Sequence, residues 1–302
     1  MNYLITGGTG LLGKQLSKLL LANGHKVAIL TRSKREDSQV KYYQWDIKKG
    51  EIEAEALEKV DCLIHLAGAG IADEKWTDER KKAIIDSRVQ PLTLLAQKFK
   101  EAGVFPKSIV SASAVGIYGF DTGDKNLAED DDKGKDYISE VVIKWEKAVD
   151  DFAALTKSRA VKLRIGIVLD KNGGALPQLA LPVKLGVGSA LGDGEQWLSW
   201  IHTKDLCQLF YQCSLDEGKR GAYNAVAPNP VTNKEMVKVL GKVLHRAIWA
   251  PKVPAFVLKL ILGERAQLVL GGNKVSASKI EATGFNFKFS ILEDALTEIY
   301  KS

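Results

Sequence analysis

Cysteine is scarce in this 302-residue sequence, and Cys62, Cys207 and Cys213 show no metal-ligand spacing. An odd count without paired spacing argues against a disulfide framework and favours a reducing compartment. Cys62 lies within an apolar run and is expected to be a small core residue. No metal site is predicted from this pattern.

Long apolar runs and blocks of basic residues are also missing. The most apolar late stretch, VPAFVLKLIL, contains a lysine and has about half the length that spans a bilayer. The net charge is +6, but the 43 basic residues are spread among 37 acidic ones, which argues against nucleic-acid or membrane binding. Because the N-terminus shows no signal-peptide pattern, we expect a cytoplasmic protein. We also expect a monomer or homodimer, and a small-molecule substrate as its partner.

Short apolar runs alternate with helical periodicity through the first half of the chain. Strands are predicted at 2–6, 25–31, 40–47, 60–69, 107–115 and 160–169, and helices at 11–24, 77–102 and 137–157. This alternation predicts an α/β fold with a doubly wound parallel Rossmann sheet. After residue 170 the pattern changes, and we expect a Rossmann domain at 1–228 and a small, mainly helical C-terminal domain at 229–302.

The predicted helix ends rest on individual residues. Thr77 is a good N-cap for the long helix 77–102. Pro91 should kink or split that helix, because proline lacks an amide N–H and crowds the preceding turn. Thr203 or Asp205 could cap the helix that follows the SWIH segment.

The segment LITGGTGLLGKQL carries Gly7, Gly10 and Gly13 between the first predicted strand and the first predicted helix. Gly7 would permit a tight turn, Gly10 a close approach of the backbone to a pyrophosphate, and Gly13 close packing of the helix. The helix N-terminus then offers N–H groups and partial positive charge to phosphates. Because the triplet stands in a strand–loop–helix–strand context, it predicts a dinucleotide site.

The end of the second strand indicates which dinucleotide is bound. It reads Thr31, Arg32, Ser33, Lys34, Arg35, without the carboxylate that an NAD site uses for the ribose 2′-hydroxyl. An arginine here can bind a 2′-phosphate or stack on the adenine, so the sequence predicts NADP(H). A solvated basic turn is the alternative interpretation.

Further cofactor contacts are predicted at the ends of the later strands. Asp46 could meet the adenine edge, and the small residues of HLAGA (65–69) allow the backbone close to a ribose or the nicotinamide. The full predicted set is Gly7, Thr9, Gly10, Leu11, Leu12, Gly13, Thr31, Arg32, Asp46, Ile47, Leu66, Ala67, Gly68 and Ser111.

The spacing of TGGTGLLG, HLAGA and SASAVGIYG resembles the extended short-chain dehydrogenase/reductases of the sugar-nucleotide epimerase type. The segments GDGEQWLSWIHTKDL and ERAQLVLGGNKVSASKIEATGFNFKF resemble an atypical NAD-dependent epimerase/dehydratase-like branch that has a C-terminal domain of unknown function. The resemblance covers nearly all of the chain. It implies a nicotinamide cofactor and a site in which serine or threonine, tyrosine and lysine act together.

The lysine of that site is missing. It would follow the tyrosine by four residues and lower its pKa, but no tyrosine of this sequence has a lysine at that spacing. Tyr137 lies near the expected place and is followed by Val141, so packing is the favoured interpretation of Tyr137. Ser113 or Ser111 matches the family's hydroxyl, and it could bind a substrate oxygen or be satisfied by nearby backbone.

Other candidate residues lie outside that motif. His202 could serve as an acid or base, since histidine titrates near neutral pH, although a structural role is favoured. Trp197 and Trp200 could stack on a sugar or a base, or belong to the core. Arg88 and Arg164 could bind a phosphate bidentately, or form ordinary ion pairs.

Two functional hypotheses follow from these residues. The first is an NADP(H)-dependent oxidoreductase or epimerase for a small carbonyl or nucleotide-sugar-like substrate, in which the nicotinamide supplies the hydride chemistry. The second is a non-catalytic protein that senses NADP(H) or scaffolds a partner. The missing lysine favours the second hypothesis, and the cleft-lining segments favour the first.

Overall fold

The computed structural model of the protein describes residues 1–33 and 35–301. Its strands are β1 (Asn2–Thr6), β2 (Lys26–Thr31), β3 (Val40–Asp46), β4 (Glu51–Ile52), β5 (Cys62–His65), β6 (Ser108–Ala114), β7 (Asn126–Leu127), β8 (Arg159–Ile165), β9 (Ile167–Leu169), β10 (Trp197–Leu198), β11 (Trp200–His202), β12 (Gly221–Ala225), β13 (Val231–Thr232) and β14 (Lys274–Val275). Its α-helices are α1 (Leu11–Ala22), α2 (Asp78–Ala102), α3 (Tyr137–Thr156), α4 (Leu176–Lys184), α5 (Thr203–Leu215), α6 (Asn233–Val243), α7 (Ala255–Leu262), α8 (Gln267–Leu270), α9 (Ser278–Glu281) and α10 (Leu292–Lys301).

Eight strands of the described chain form the central sheet, in the order β12–β8–β6–β5–β1–β2–β3–β4. The pairs from β12 to β3 are parallel, and β4 pairs antiparallel with β3. The chain moves outward from β1 to β3 and then crosses to β5 on the other side of β1. This order confirms the predicted doubly wound sheet, and it creates a crevice at the carboxyl ends of β1 and β5, where such sheets bind ligands.

Helices cover both faces of the sheet. On one face α1 packs against α5, and on the other α2 packs against α3. Phe99 of α2 and Phe152 of α3 meet edge to face, with ring centroids 6.0 Å apart, and both are buried. Full burial of an apolar side chain of this size contributes about 1.5–3 kcal/mol. These contacts fix α2 and α3, whose N-terminal halves border the crevice.

One predicted strand differs from the structure. The predicted strand 160–169 is two strands, β8 and β9, because the chain leaves the central sheet at Gly166. The backbone passes close to Ser199 there, since a Cβ at Gly166 would lie 2.3 Å from the Ser199 carbonyl oxygen. β9 then pairs in parallel with β11.

Thr77 caps α2 as predicted, since its Oγ1 accepts from the Arg80 N–H at 3.2 Å. α2 runs unsplit through Pro91, which is buried, so the predicted split does not occur; the helix packing outweighs the lost amide hydrogen bond. A kink at Pro91 stays a prediction.

The last quarter of the chain is mainly helical, as predicted. In this region α10 packs against α6 and against β9. A second hydrophobic cluster joins Leu169 and Trp200 to Met236, Leu240 and Leu296, so residues from both sides of position 228 share it. The domain boundary at 228/229 stays a prediction. Within the described residues, no helix combines the length and apolarity needed to cross a bilayer.

The start of α6 offers a test of local stability. The Thr232 side chain accepts from the Glu235 N–H, and the Glu235 carboxylate accepts from the Thr232 N–H at 2.8 Å. Thr232→Ala removes half of this capping box and should lower the free energy of unfolding by about 1 kcal/mol in urea denaturation. Thr93→Ala, at an exposed interior position of α2, is the control and should change stability little. Equal effects of the two substitutions would contradict the capping role.

Candidate functional site

The loop between β1 and α1 brings the predicted glycines together. Gly7 has φ +70°, in the left-handed region, and a Cβ there would lie 2.7 Å from the Leu66 carbonyl carbon. A Cβ at Gly13 would lie 2.5 Å from the Gly8 Cα and 2.7 Å from the Gly7 oxygen. Neither position admits a side chain, because the obstructing atoms are backbone. The loop therefore lies directly against the segment that follows β5.

The N-terminus of α1 is open to a ligand. Its N-cap is Gly10, which provides no side-chain cap, and the first turn contains no acidic residue. The Gly10 N–H donates to the Gly7 oxygen at 3.0 Å, whereas the N–H groups of Leu11 and Leu12 begin the helix and have no acceptor within it. Uncapped N–H groups beside a glycine cradle fit the pyrophosphate of a dinucleotide. Thr9 is half-buried in the same loop.

The end of β2 is a basic turn at the rim of the crevice. Thr31 is buried, and its Oγ1 accepts from the Ser33 N–H at 3.4 Å. Arg32 is exposed, and the Gln44 side chain donates to its carbonyl oxygen at 3.2 Å. Among the described residues no carboxylate forms an ion pair with the Arg32 guanidinium. Lys34 of the predicted turn lies outside the described residues.

Asp46 is the last residue of β3 and Ile47 follows it, and both are half-buried. Asp46 Oδ1 accepts from the N–H groups of Lys48 at 2.9 Å and Lys49 at 3.1 Å. These bonds close a turn and hold the carboxylate at the same edge of the sheet as Arg32. Contact of Asp46 and Ile47 with an adenine stays a prediction.

The segment after β5 is tied to β1 by Thr6. The Leu66 N–H donates to the Thr6 carbonyl oxygen at 3.0 Å, and the Ala67 N–H donates to Thr6 Oγ1 at 3.3 Å. Gly68 is exposed in the crevice, and a Cβ there would lie 3.1 Å from Arg88 Cζ. The structure thus brings Gly7, Leu66, Ala67 and Gly68 to one place, as the sequence predicts.

Tyr137 begins α3 and packs against a small apolar cluster, with Lys81 Nζ 5.5 Å from the centroid of its ring. Its hydroxyl donates to the Lys81 carbonyl oxygen at 3.1 Å, and its ring meets Trp76 edge to face at 5.1 Å. Burial raises the pKa of the Tyr137 hydroxyl, and the positive charge of Arg88 opposes that rise. Val141, one turn later, is 1% exposed. Position 141 therefore contributes packing to this region and no charge.

Ser113 lies in a buried polar network. Its Oγ donates to Glu146 Oε1 at 2.7 Å, and Arg164 binds the same carboxylate through Nε at 2.9 Å and Nη2 at 3.1 Å. Arg164 also donates to the Tyr118 hydroxyl at 3.1 Å. Arg164 thus forms the ion pair that was the alternative to phosphate binding. Ser111 is buried on the same strand, and its hydroxyl donates to the Ala112 carbonyl oxygen.

His202 caps a helix. Its Nδ1 accepts from the Lys204 N–H at 3.0 Å, so Nε2 carries the proton and donates to Glu298 at 3.0 Å. His202 is the N-cap of α5, a place predicted for Thr203 or Asp205, and that prediction was wrong. Burial lowers the pKa of His202, and the Glu298 carboxylate opposes the shift. The imidazole lines a cavity of about 200 Å³ with Glu298.

The two tryptophans have different environments. Trp197 is half-buried, donates from Nε1 to Asp124 at 2.7 Å and carries Lys274 over its ring at 4.3 Å. It lines a cleft of about 150 Å³ next to α3, with Phe120, Ile138 and Leu268 among the other walls. Trp200 is fully buried and donates to the Asn229 carbonyl oxygen. The core interpretation therefore holds for Trp200 alone.

Comparison with known proteins agrees with this geometry. Residues 3–225 match the family model described as the NAD dependent epimerase/dehydratase family. The chain belongs to that family. Residues 253–299 match a domain of unknown function, DUF1731. Both matches confirm the resemblance seen in the sequence motifs.

Two relatives of this epimerase family protein match over nearly their whole length, and a third matches over part of its length. The epimerase family protein YfhF of Bacillus subtilis is 39% identical over 305 residues, which cover 99% of this chain and 98% of that protein. The crystal structure of human epimerase family protein SDR39U1 (isoform 2) with NADPH has a TM-score of 0.88 at 32% identity and covers 100% of both chains. The nucleoside-diphosphate sugar epimerase of Corynebacterium glutamicum has a TM-score of 0.79 at 32% identity, with 99% of this chain matching 58% of that one.

Sequence reasoning missed two residues that organise the site of this epimerase family protein. His65 bonds Thr6 Oγ1 at 2.7 Å through Nδ1 and the Arg88 carbonyl oxygen at 3.2 Å through Nε2. Glu146 anchors Ser113 and Arg164. Its signal was visible, since a lone carboxylate stands within the apolar face of α3, one residue after Trp145 and three before Val149. A charged residue on such a face needs a buried partner.

Proposed function

We propose that the protein binds NADP(H) and acts as an oxidoreductase or epimerase on a small carbonyl or nucleotide-sugar-like substrate. The observation that carries this proposal is the glycine cradle at Gly7 and Gly13 beside the uncapped N-terminus of α1. The human relative crystallised with NADPH supports it, at 32% identity over the whole chain. When bound, the nicotinamide would supply hydride transfer, and the protein's part is to bind, orient and exclude water.

Arg32 is the residue that would select the phosphorylated cofactor. Its guanidinium is exposed at the carboxyl end of β2, beside the sheet edge that carries Asp46. No acidic side chain follows Thr31 before Glu36, so a ribose 2′-hydroxyl would lack its usual acceptor, while a 2′-phosphate would meet a charge-assisted donor.

Arg32→Ala should weaken NADPH binding by about tenfold or more, because a charge-assisted hydrogen bond to the 2′-phosphate is lost. NADH binding should change little. Both affinities can be measured by titrating the nucleotide fluorescence. Lys18→Ala, at an exposed position of α1, tests for a general effect of lost charge and should leave both affinities unchanged. A parallel loss of NADPH and NADH affinity in Arg32→Ala would argue against the 2′-phosphate contact.

The cleft beside α3 is where a substrate would bind. Its walls include Phe120, Ile138, Trp197 and Leu268, and its volume of about 150 Å³ is below the range of about 300–1,000 Å³ that holds larger ligands. This size favours a small carbonyl compound, whereas the Corynebacterium relative named as a nucleoside-diphosphate sugar epimerase favours a sugar nucleotide. Tyr137 directly precedes Ile138, which lines the cleft. The catalytic roles of Ser113, Tyr137 and His202 stay predictions.

The enzyme hypothesis is tested by single-turnover oxidation of bound NADPH with a panel of carbonyl compounds and nucleotide sugars. Turnover that falls in Tyr137→Phe and persists in His202→Gln would support the cleft beside α3 as the active site. The second candidate function, a non-catalytic NADP(H) sensor or scaffold, is favoured by the buried Val141 and by the Tyr137 hydroxyl bonded to the Lys81 carbonyl oxygen. Tight NADPH binding without oxidation by any compound of the panel would favour that candidate.

A further inference from the structure

Arg88 has a backbone fixed beside the cofactor crevice. Its carbonyl oxygen accepts from His65 Nε2 at 3.2 Å. A carbonyl can only accept, so Nε2 carries the imidazole proton and Nδ1 accepts from the Thr6 hydroxyl at 2.7 Å. Burial lowers the pKa of His65 to about 3, so this relay stays neutral. The chain Thr6–His65–Arg88 therefore joins the ends of β1 and β5 to α2.

The Arg88 guanidinium is also held in one place. Its Cζ lies over the Trp145 ring, 5.1 Å from the centroid, and Nη1 donates to the Ile84 carbonyl oxygen at 2.9 Å. On the crevice side it contacts Gly68, where a Cβ would lie 3.3 Å from Nη2. A side chain at position 68 would therefore require the guanidinium to shift by a few tenths of an ångström. The guanidinium is thus sandwiched between α3 and a predicted cofactor-binding residue.

The Arg88 guanidinium has few polar partners among the described residues. In the described parts of the chain no carboxylate forms an ion pair with it, and its Nε and Nη2 donate no hydrogen bond to any described residue. By contrast, Arg164 of β8 donates to both carboxylate oxygens of Glu146. A half-buried cation without a partner is costly to folding. Two open donors on a fixed cation indicate a ligand with oxygen acceptors.

The guanidinium is linked through Ile84 to the part of α3 around position 141, where the resemblance would place the missing lysine. Ile84, which accepts from Nη1, belongs to the same small apolar cluster as Val141 and Tyr137. Trp145, which carries the guanidinium, is one helical turn beyond Val141 on α3. The positive charge beside this face of α3 is therefore carried by Arg88 of α2, whereas the missing lysine would carry it on α3.

We infer that Arg88 supplies the cation of this site, binding oxygens of the cofactor's nicotinamide half beside Gly68 and holding positive charge near Tyr137. The inference rests on the proposed function. It assigns Arg88 a different partner from the substrate phosphate that its sequence position suggested. The guanidinium would be held ready by Trp145, Ile84 and the His65 relay, so little ordering is needed on binding.

The test separates the two halves of the cofactor. NADPH contains both halves, whereas 2′,5′-ADP contains the adenine half alone. Arg88→Met should weaken NADPH binding by about tenfold to a hundredfold, because hydrogen bonds from a charged donor are lost, and should leave the 2′,5′-ADP affinity unchanged. Arg32→Ala is the matched contrast, and it should weaken the binding of both NADPH and 2′,5′-ADP because both contain the 2′-phosphate. Thermal melting of each variant checks the fold.

Two further variants test the positive charge itself, one by keeping it at position 88 and one by moving it to position 141. Arg88→Lys should retain part of the NADPH affinity. Arg88→Met combined with Val141→Lys should regain part of it, because the lysine would approach the same place from α3. Unchanged NADPH binding in Arg88→Met, or equal loss of both ligands, would overturn the inference while leaving the proposed function intact. A wild-type protein that binds neither ligand would overturn the proposed function itself.

Discussion

Gly13→Ala should reduce NADPH affinity by at least about a hundredfold. The added Cβ would lie 2.5 Å from the Gly8 Cα and 2.7 Å from the Gly7 oxygen. These are backbone atoms of the loop that would cradle the pyrophosphate, so α1 and the loop must separate to make room. The N–H groups at the start of the helix would then point away from the phosphates. We expect urea denaturation to show a loss of about 1–3 kcal/mol from overpacking as well.

A control for Gly13→Ala is Gly218→Ala, in the surface loop before β12. There the nearest atom to an added Cβ is Asp216 Oδ1 at 3.2 Å, the end of a side chain that can move. This variant should bind NADPH as the wild type does. Full NADPH affinity in Gly13→Ala would show that the glycine loop is not the pyrophosphate site, and would remove the observation on which the proposed function rests.

The prediction of the cofactor half of the site rests on local signals, and the structure has the predicted loop between β1 and α1. A glycine required by backbone geometry, such as Gly7 with φ +70°, stands at fixed spacing between a strand and a helix. Buried parallel strands appear as short apolar runs, which gave β1, β2, β3 and β6 within one or two residues at each end. Thr77 was identifiable as a cap because its partner, the Arg80 N–H, lies three residues away.

The rest of the site depends on contacts between distant parts of the chain. From sequence, Arg88 and Arg164 had the same two interpretations, phosphate binding or an ion pair. Arg164 forms an ion pair with Glu146, 18 residues away, whereas the Arg88 guanidinium stacks over the Trp145 ring at the interface of α2 and α3. No spacing rule links either pair. No spacing rule links His202 to its partner Glu298, which lies 96 residues away. Nor does the sequence show that Trp197 lines a cleft while Trp200 is buried in the core.

Arg164→Met should lower the free energy of unfolding by about 3–5 kcal/mol, because it leaves the buried Glu146 charge without its partner. The two side chains are 5% and 6% exposed, and they share two hydrogen bonds of 2.9 and 3.1 Å. Urea denaturation at neutral pH measures the effect. Lys144→Met breaks the exposed pair with Glu140, whose side chains are 50% and 53% exposed, and should cost less than about 0.5 kcal/mol.

The pH dependence of this loss distinguishes a stranded charge from lost packing. Burial alone would raise the pKa of Glu146, but Arg164 and the Ser113 hydrogen bond outweigh it, so the folded pKa is lowered. In the wild type the pair thus stabilises the fold above the unfolded pKa, and that stability is lost as pH falls through the folded pKa. In Arg164→Met burial acts unopposed by the guanidinium, so the folded pKa rises and protonation relieves the penalty as pH falls. The difference between wild type and Arg164→Met should therefore shrink from neutral pH to about pH 5; a constant difference would mean that packing, and not the charge of Glu146, sets the cost.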